Sequence, residues 1–257
     1  MDREEKQENK EFRGARSIKR LKSSLEATAL HREYTRKMWE DIAKGEPYIF
    51  GYGPMELFNS MELYQVVPVT YGALMAAKQM YGYYQGKIEE QGYFRSLSNY
   101  ETLPLGYCFD RNPEIAPYGG LPKPAAVIAG YVTEIATYEI YAREFGVPLF
   151  FMEDPMRQPH IPPRWWDGRE FREAYIRDFV GKEVEYCVRF LESVTGKTYS
   201  DTRLREYLMR ADEMAELYTK ISDLANKTIP APITCTDVFS EVAIYETHFG
   251  QEWALEH

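Results

Sequence analysis

Apolar residues between Gly120 and Pro155 change their period twice. Ala125 to Ala129 is a short continuous apolar run behind Pro124, and Leu149 to Met152 is another between Pro148 and Glu153. Between them Val132, Ile135, Ala136, Ile140, Tyr141 and Phe145 recur at helical spacings, the mark of an amphipathic helix. The pattern predicts strand, helix, strand. A crossover of that length makes a parallel, right-handed βαβ unit whose ligands sit outside the carboxyl ends of its strands. The loop at Gly130 to Thr133 is therefore the first place to look for function. Neither GxGxxG nor GxxxxGK[ST] stands there, so the sequence predicts no nucleotide-phosphate cradle.

The rest of the chain alternates in the same way. From Ser17 to Ala43, Ile18, Leu21, Leu25, Ala29, Tyr34, Met38 and Ile42 form a helical stripe, and Gly45 stops it. PYIFGY at Pro47 to Tyr52 predicts the first strand, Met55 to about Met61 a helix, and VVPV at Val66 to Val69 the second strand. Tyr71 to Gln91 reads as a helix in spite of Gly72, Gly82 and Gly86. Gly92 to Gly119 has turn residues and few periods, which predicts loops over the carboxyl edge of the sheet. Past Pro155, MRQPHIPPRWWDG is a proline-rich connector. Arg169 to Thr195 and Asp201 to Lys227 follow as long amphipathic helices, with Ser200 placed to cap the second. Residues 229 to 237 read as a loop and Val238 to His248 as a further helix.

This order predicts an α/β fold: a parallel Rossmann or flavodoxin-like sheet with flanking helices and an added helical layer. The expected divisions are residues 1–45 as N-terminal arm and helix, 46–155 as the α/β domain, and 156–254 as a helical region leading towards a second domain. Residues 1 to 14, almost wholly polar, are expected to be disordered or to form an arm onto a partner. Leu255, Glu256 and His257 look like the start of a vector-derived histidine tag, and a helix running into them suggests either a chain cut short or a natural chain that is unusually short.

Composition narrows the function classes. With 257 residues and 44% hydrophobic content, the chain can bury one good-sized core or two small ones. A net charge of −9 argues against nucleic acid or an anionic membrane as partner. Without a signal peptide or an 18-residue apolar run, a cytoplasmic protein is the default expectation. The three cysteines, Cys108, Cys187 and Cys235, form no CxxC pair and no disulfide framework. The 21 tyrosines suit either a site that needs large faces with polar tips or a tyrosine-rich surface.

Few residues announce chemistry. Glu134, beside Tyr131 and Thr133 at the start of the crossover helix, could act as acid or base if desolvated, or could be a first-turn acid favoured by the helix dipole. His160 with Arg164, Trp165 and Trp166 could contact a flat aryl or adenine ring, or form a packing cluster. His31 and His248 are isolated on helical segments and read as surface or interface residues.

Several blocks together resemble one family. KGEPYIF followed by PMELFNSMELYQVVPV, then GYFRSLSNYETLPLG, then GLPKPAAVIAGY through FGVPLFFMEDP, and finally FLESVTGKTYSDTRLREYL and PAPITCTDVF are similar in order to subunits of the benzoyl-CoA reductase and 2-hydroxyacyl-CoA dehydratase family. The resemblance implies an acyl-CoA thioester substrate and a homologous or unrelated catalytic subunit as partner in a hetero-oligomer. It also implies [4Fe-4S] clusters held by cysteine thiolates, and an ATP-hydrolysing activator that delivers an electron. The position where relatives carry the first cluster cysteine is Ser98 here, with Tyr100 agreeing, and the family's Cys-Asp pair falls at about Tyr131-Val132. Serine and tyrosine are poor iron ligands beside a soft thiolate. The expectation is therefore a subunit without a cluster of its own, any [4Fe-4S] being in a partner. Ser98, Tyr100, Tyr131 and Thr133 would line the substrate pocket, Glu134 and Tyr131 would serve catalysis, and Cys108 and Cys235 remain outside candidates as ligands. Cys187 reads as a buried structural thiol. An acyl-CoA-processing enzyme using acid-base or carbon–carbon bond chemistry, and an assembly scaffold, are the other functional classes that this pattern admits.

Overall fold

A computed structural model describes residues 21–93, 99–130, 135–152, 174–230 and 232–257. The polar arm, the loop residues Tyr131 to Glu134 and the proline-rich connector, with the domain boundary expected at 155, fall outside the described residues. The chain divides into two compact units. One is Lys37–Tyr207, and the other joins Met1–Arg36 to Leu208–His257.

The first unit is built on four parallel strands, β1 (Tyr48–Gly51), β2 (Tyr64–Val66), β3 (Ala126–Ala129) and β4 (Leu149–Phe151), in the order β2-β1-β3-β4. β1 and β3 are central and fully buried, which is why both read as unbroken apolar runs. Paired residues share a face. Ile49, Ala126 and Ile128 face a core with Leu57, Phe58, Met61 and Leu63, the two phenylalanines Phe150 and Phe190, and the buried Cys187 and Leu191. Phe50 points the other way, edge-on to Tyr141 and Phe145. The sheet thus carries apolar layers on both faces, as in a doubly wound α/β fold.

The helices of this unit match the expected pattern in part. After β1 comes α2 (Met55–Ser60), α1 (Lys22–Ala43) having preceded it, and the Gly45 N–H donates to the Ile42 carbonyl just past the end of α1 (3.0 Å). VVPV is not a strand throughout. β2 stops at Val66 and Pro68 opens α3 (Pro68–Ala77), because proline has no N–H to give a sheet ladder and its fixed φ suits the first position of a helix. The single helix expected from Tyr71 to Gln91 is two, α3 and α4 (Tyr81–Glu90), with Gln79 at φ 61° between them. The region from Gly92 to Gly119 holds no mere set of loops: Asn99–Asp110 is a helix, α5. Residues 101–108 are all buried. A helix covered on every side has no polar stripe, so its period could not be seen. Gly72 makes this packing possible, since a Cβ there would run into the Tyr100 carbonyl of α5. α6 (Ile135–Phe145) forms the crossover from β3 to β4 as expected. α7 (Ala174–Thr195) and α8 (Asp201–Lys227) follow, the Ser200 Oγ accepting from the Arg203 N–H at the start of α8 (3.3 Å).

The second unit is helical. α9 (Cys235–Thr247) and α10 (Glu252–Glu256) join the segments of α1 and α8 that belong to it around Ala27, Met214, Ile244 and Ala254. Leu255, set aside above as tag, packs against this cluster. α9 begins three residues earlier than expected, so Cys235 is in its first turn and not in a loop. Thr234 caps it in a reciprocal box with Asp237, whose carboxylate also accepts from the Leu21 N–H (3.1 Å). The histidines read as isolated surface or interface residues are not isolated. His31 and His248 hydrogen-bond to each other, Nδ1 to Nε2, at 3.0 Å, and His248 is buried. They are 217 positions apart, a pairing no local pattern can show.

Candidate functional site

The strand order fixes where a ligand would enter. From β1 the chain turns to β2 on one side, and from β3 to β4 on the other, so the connections diverge at the carboxyl ends of β1 and β3. Such a switch point leaves a crevice in open parallel sheets. The segments that leave the sheet at this point are Gly51-Tyr52-Gly53-Pro54 and Gly130. The Tyr52 N–H donates to the Ile128 carbonyl (3.0 Å), and the Gln65 side-chain amide donates to the Gly51 carbonyl (2.8 Å), which ties the edge together. Gly51 has φ 135°, and a Cβ would strike the Ile128 carbonyl oxygen. Only glycine fits so close to the next strand.

Beside this edge the amino ends of α5 and α6 meet. Glu101, 6% exposed, receives the Tyr138 hydroxyl on Oε2 at 3.4 Å, while the Tyr141 hydroxyl donates to the Glu101 carbonyl at 2.5 Å. Burial first, then Cys108 and Glu101, push the Tyr141 phenol well above its ordinary range. A carboxyl group and a phenol are thus held in contact almost out of water where α5 and α6 meet. The sequence reading missed both Glu101 and Tyr138. The available signal was one acid standing in an otherwise apolar stretch, ETLPLGYCF.

Of the expected pocket residues, Tyr100 is described: it is exposed, at the start of α5. Ser98, Tyr131, Thr133 and Glu134 lie outside the described residues, as do His160, Arg164, Trp165 and Trp166. The tyrosines divide differently from either expectation. Tyr48, Tyr71, Tyr84, Tyr138 and Tyr141 are core residues, neither surface nor open site.

All three cysteines are described, and they test the fit of an iron-sulfur cluster. Cys108, on α5, is buried and acts electrostatically on Tyr48 and Tyr141, on the Phe50 face of the sheet. Cys187, on α7, is buried among Ile49 and Ile128 on the opposite face. Burial holds both thiols in the protonated form, Cys187 being pushed up to about 12. A four-stranded sheet separates them, so no single cluster can take both. Cys235 belongs to the helical unit and is exposed. Among the described residues no three His, Cys, Asp or Glu side chains are grouped to hold a metal ion, and no helix is long and apolar enough to cross a membrane.

Comparison with known proteins agrees with the ordered blocks. The 2-hydroxyglutaryl-CoA dehydratase D-component family matches residues 50–257, which takes in the sheet from Phe50 of β1 onward and every described helix after α1. The chain belongs to this family. A relative, the alpha subunit of (R)-2-hydroxyglutaryl-CoA dehydratase from Acidaminococcus fermentans, is 26% identical over 120 residues, 46% of this chain. The aligned part spans 23% of that protein's length.

Proposed function

We propose that the chain is a subunit of a 2-hydroxyacyl-CoA dehydratase-like or benzoyl-CoA reductase-like system, walling the pocket for an acyl-CoA or aryl-CoA thioester and holding no [4Fe-4S] cluster of its own. Family membership over residues 50–257 supports the substrate class. The observation that carries the cluster-free part is the placement of Cys108 and Cys187 on opposite faces of the sheet, with serine at position 98. A cluster-bearing partner, homologous or not, would supply the electron chemistry in a hetero-oligomer. Ser98, Tyr100, Tyr131 and Thr133 contact the thioester in this reading, and Glu134 and Tyr131 serve its proton chemistry.

Two measurements test it. Calorimetry with acyl-CoA and aryl-CoA thioesters should give binding that Tyr100→Ala weakens; no binding, alone and with the co-purified partner, leaves only the scaffold reading. Anaerobic reconstitution with iron and sulfide should leave the chain without a stable cluster, whereas about four irons per chain with the visible charge-transfer band would overturn the cluster-free part.

The Glu101–Tyr138 contact favours a second reading, acid-base processing of an acyl-CoA without electron transfer. Turnover of a thioester without reductant or ATP, abolished by Glu101→Gln, would establish it. Turnover only after an electron donor is added would reject it.

A further inference from the structure

In the helical unit, a partly exposed imidazole meets a buried one. Nδ1 of His31, on α1, is 3.0 Å from Nε2 of His248, the residue that closes α9. Tyr34 stands edge-on to the His248 ring with centroids 4.3 Å apart, and the Trp253 ring of α10 lies at 4.7 Å. His248 is 2% exposed, and its other nitrogen, Nδ1, is buried without a hydrogen-bond partner among the described residues.

These contacts determine how many protons the pair can hold. One facing nitrogen must carry a hydrogen and the other must accept it. If His31 donated, His248 would bury an N–H on Nδ1 with nothing to receive it. If His248 donates through Nε2, its Nδ1 is a bare lone pair, and His31 keeps its second N–H on the partly exposed side. The second arrangement avoids the buried orphan donor. An added proton then has no good place. On His248 it creates that orphan N–H, and on His31 it removes the acceptor and sets two N–H groups face to face.

We propose that the His31–His248 pair is an acid-sensitive latch: it holds α9 and α10 to α1 while both rings are neutral and releases them when either ring takes a second proton. The groups around it do not offset the added charge. Tyr34 faces it from α1, and Gln251 and Trp253 from α10; the Arg210 guanidinium of α8 donates to the Gly250 carbonyl (2.8 Å), and Asp237, at the far end of α9, is engaged by Thr234 and Leu21. Burial lowers the pKa of both rings, and the nearby His31 lowers His248 further, to about 3. An unfolded imidazole takes its proton near 6.5, so stability is whole above about pH 7 and falls as pH drops through that value. Between pH 7.5 and 5.5 the released form gains about tenfold from His248 alone.

Hydrogen exchange on the full chain at the two pH values, corrected for intrinsic exchange rates, tests the latch. Peptides from α9 and α10 should lose about tenfold or more in protection at pH 5.5 and regain it on return to 7.5. The double variant His31→Gln with His248→Gln, able to keep an amide hydrogen bond but not to titrate, should show no such fall. Unchanged protection in the wild type overturns the proposal, as does an equal fall in the variant. Should the double variant not fold, proton NMR titration of the two wild-type rings decides: both must titrate below 6.5, and a ring at or above that value refutes the latch.

Discussion

Among buried groups whose pKa is clearly shifted, the two units hold opposite kinds. In the α/β unit these are phenols and thiols, Tyr48, Tyr71, Tyr84, Tyr141, Cys108 and Cys187, all with pKa values raised by burial. Such groups are neutral when protonated, so acid leaves them undisturbed and alkali does not. The helical unit buries an imidazole pair and a capping carboxylate, whose pKa values are lowered. Those groups must be bare to fit, so it is acid that disturbs them. Burial disfavours the charged state of the phenols, thiols and imidazoles, while hydrogen bonds favour the charged state of Asp237, and the chemistry of each side chain decides which end of the pH scale is dangerous.

The largest expected effect tests the rigidity that lets the α/β unit bury so much. Gly51→Ala adds a Cβ against the Ile128 carbonyl and holds alanine at φ 135°. Overpacking and backbone strain together should cost about 4 kcal/mol, read as a lower urea midpoint for the amides of β1 and β3. An unchanged midpoint would mean that β1 and β3 do not approach so closely. Next comes alkali. Raised phenol pKa values mean stability is whole below about pH 10 and is lost above it, because the unfolded chain gives up those protons first. Tyr48, Tyr71 and Tyr141 should each cost about 1.4 kcal/mol at pH 11. Spectroscopic titration at 295 nm should show these phenols ionising only with unfolding; early ionisation would remove the contrast between the units.

In the helical unit the corresponding probe is Asp237. Hydrogen bonds from the Thr234 side chain and backbone, then from Leu21 and Ser24, hold its carboxyl down at about 2. A lowered carboxylate stabilises above its unfolded value near 3.8 and loses that contribution as pH falls towards 2. Asp237→Ala should cost about 1–2 kcal/mol at pH 7, seen as a lower melting temperature, and the loss should vanish at pH 2.

How much of this could be read from the sequence follows the same physics. β1, β3, α6 and α8 were legible because burial on one face, or on both faces of a short strand, leaves a clear period or an unbroken apolar run. α5 was not, since residues 101–108 are covered all round and their order carries no stripe. Tyr100 stands out only through the ordered blocks, whereas the Glu101–Tyr138 contact exists only once α5 and α6 meet. The His31–His248 pair was lost for a similar reason, being made by two distant segments. Local periodicity reports how much of an element is covered. It does not report by what.

The smallest expected effect separates charge from backbone conformation at one residue. Glu62 lies between α2 and β2 at φ 58°, and its carboxylate receives Arg203 at 2.7 Å, with side-chain exposures of 69% and 38%. So exposed a pair should contribute about 0.5 kcal/mol, and Glu62→Gln should lose that much, an amount that salt would also screen away. Glu62→Gly removes the same charge but relieves the left-handed conformation, which costs a non-glycine residue about 1 kcal/mol. The glycine variant should therefore melt slightly above wild type and the glutamine variant slightly below. If both fall equally, the ion pair outweighs the backbone; if glutamine changes nothing while glycine gains, the backbone alone sets the stability of this turn, and the α/β unit owes nothing to its surface charges there.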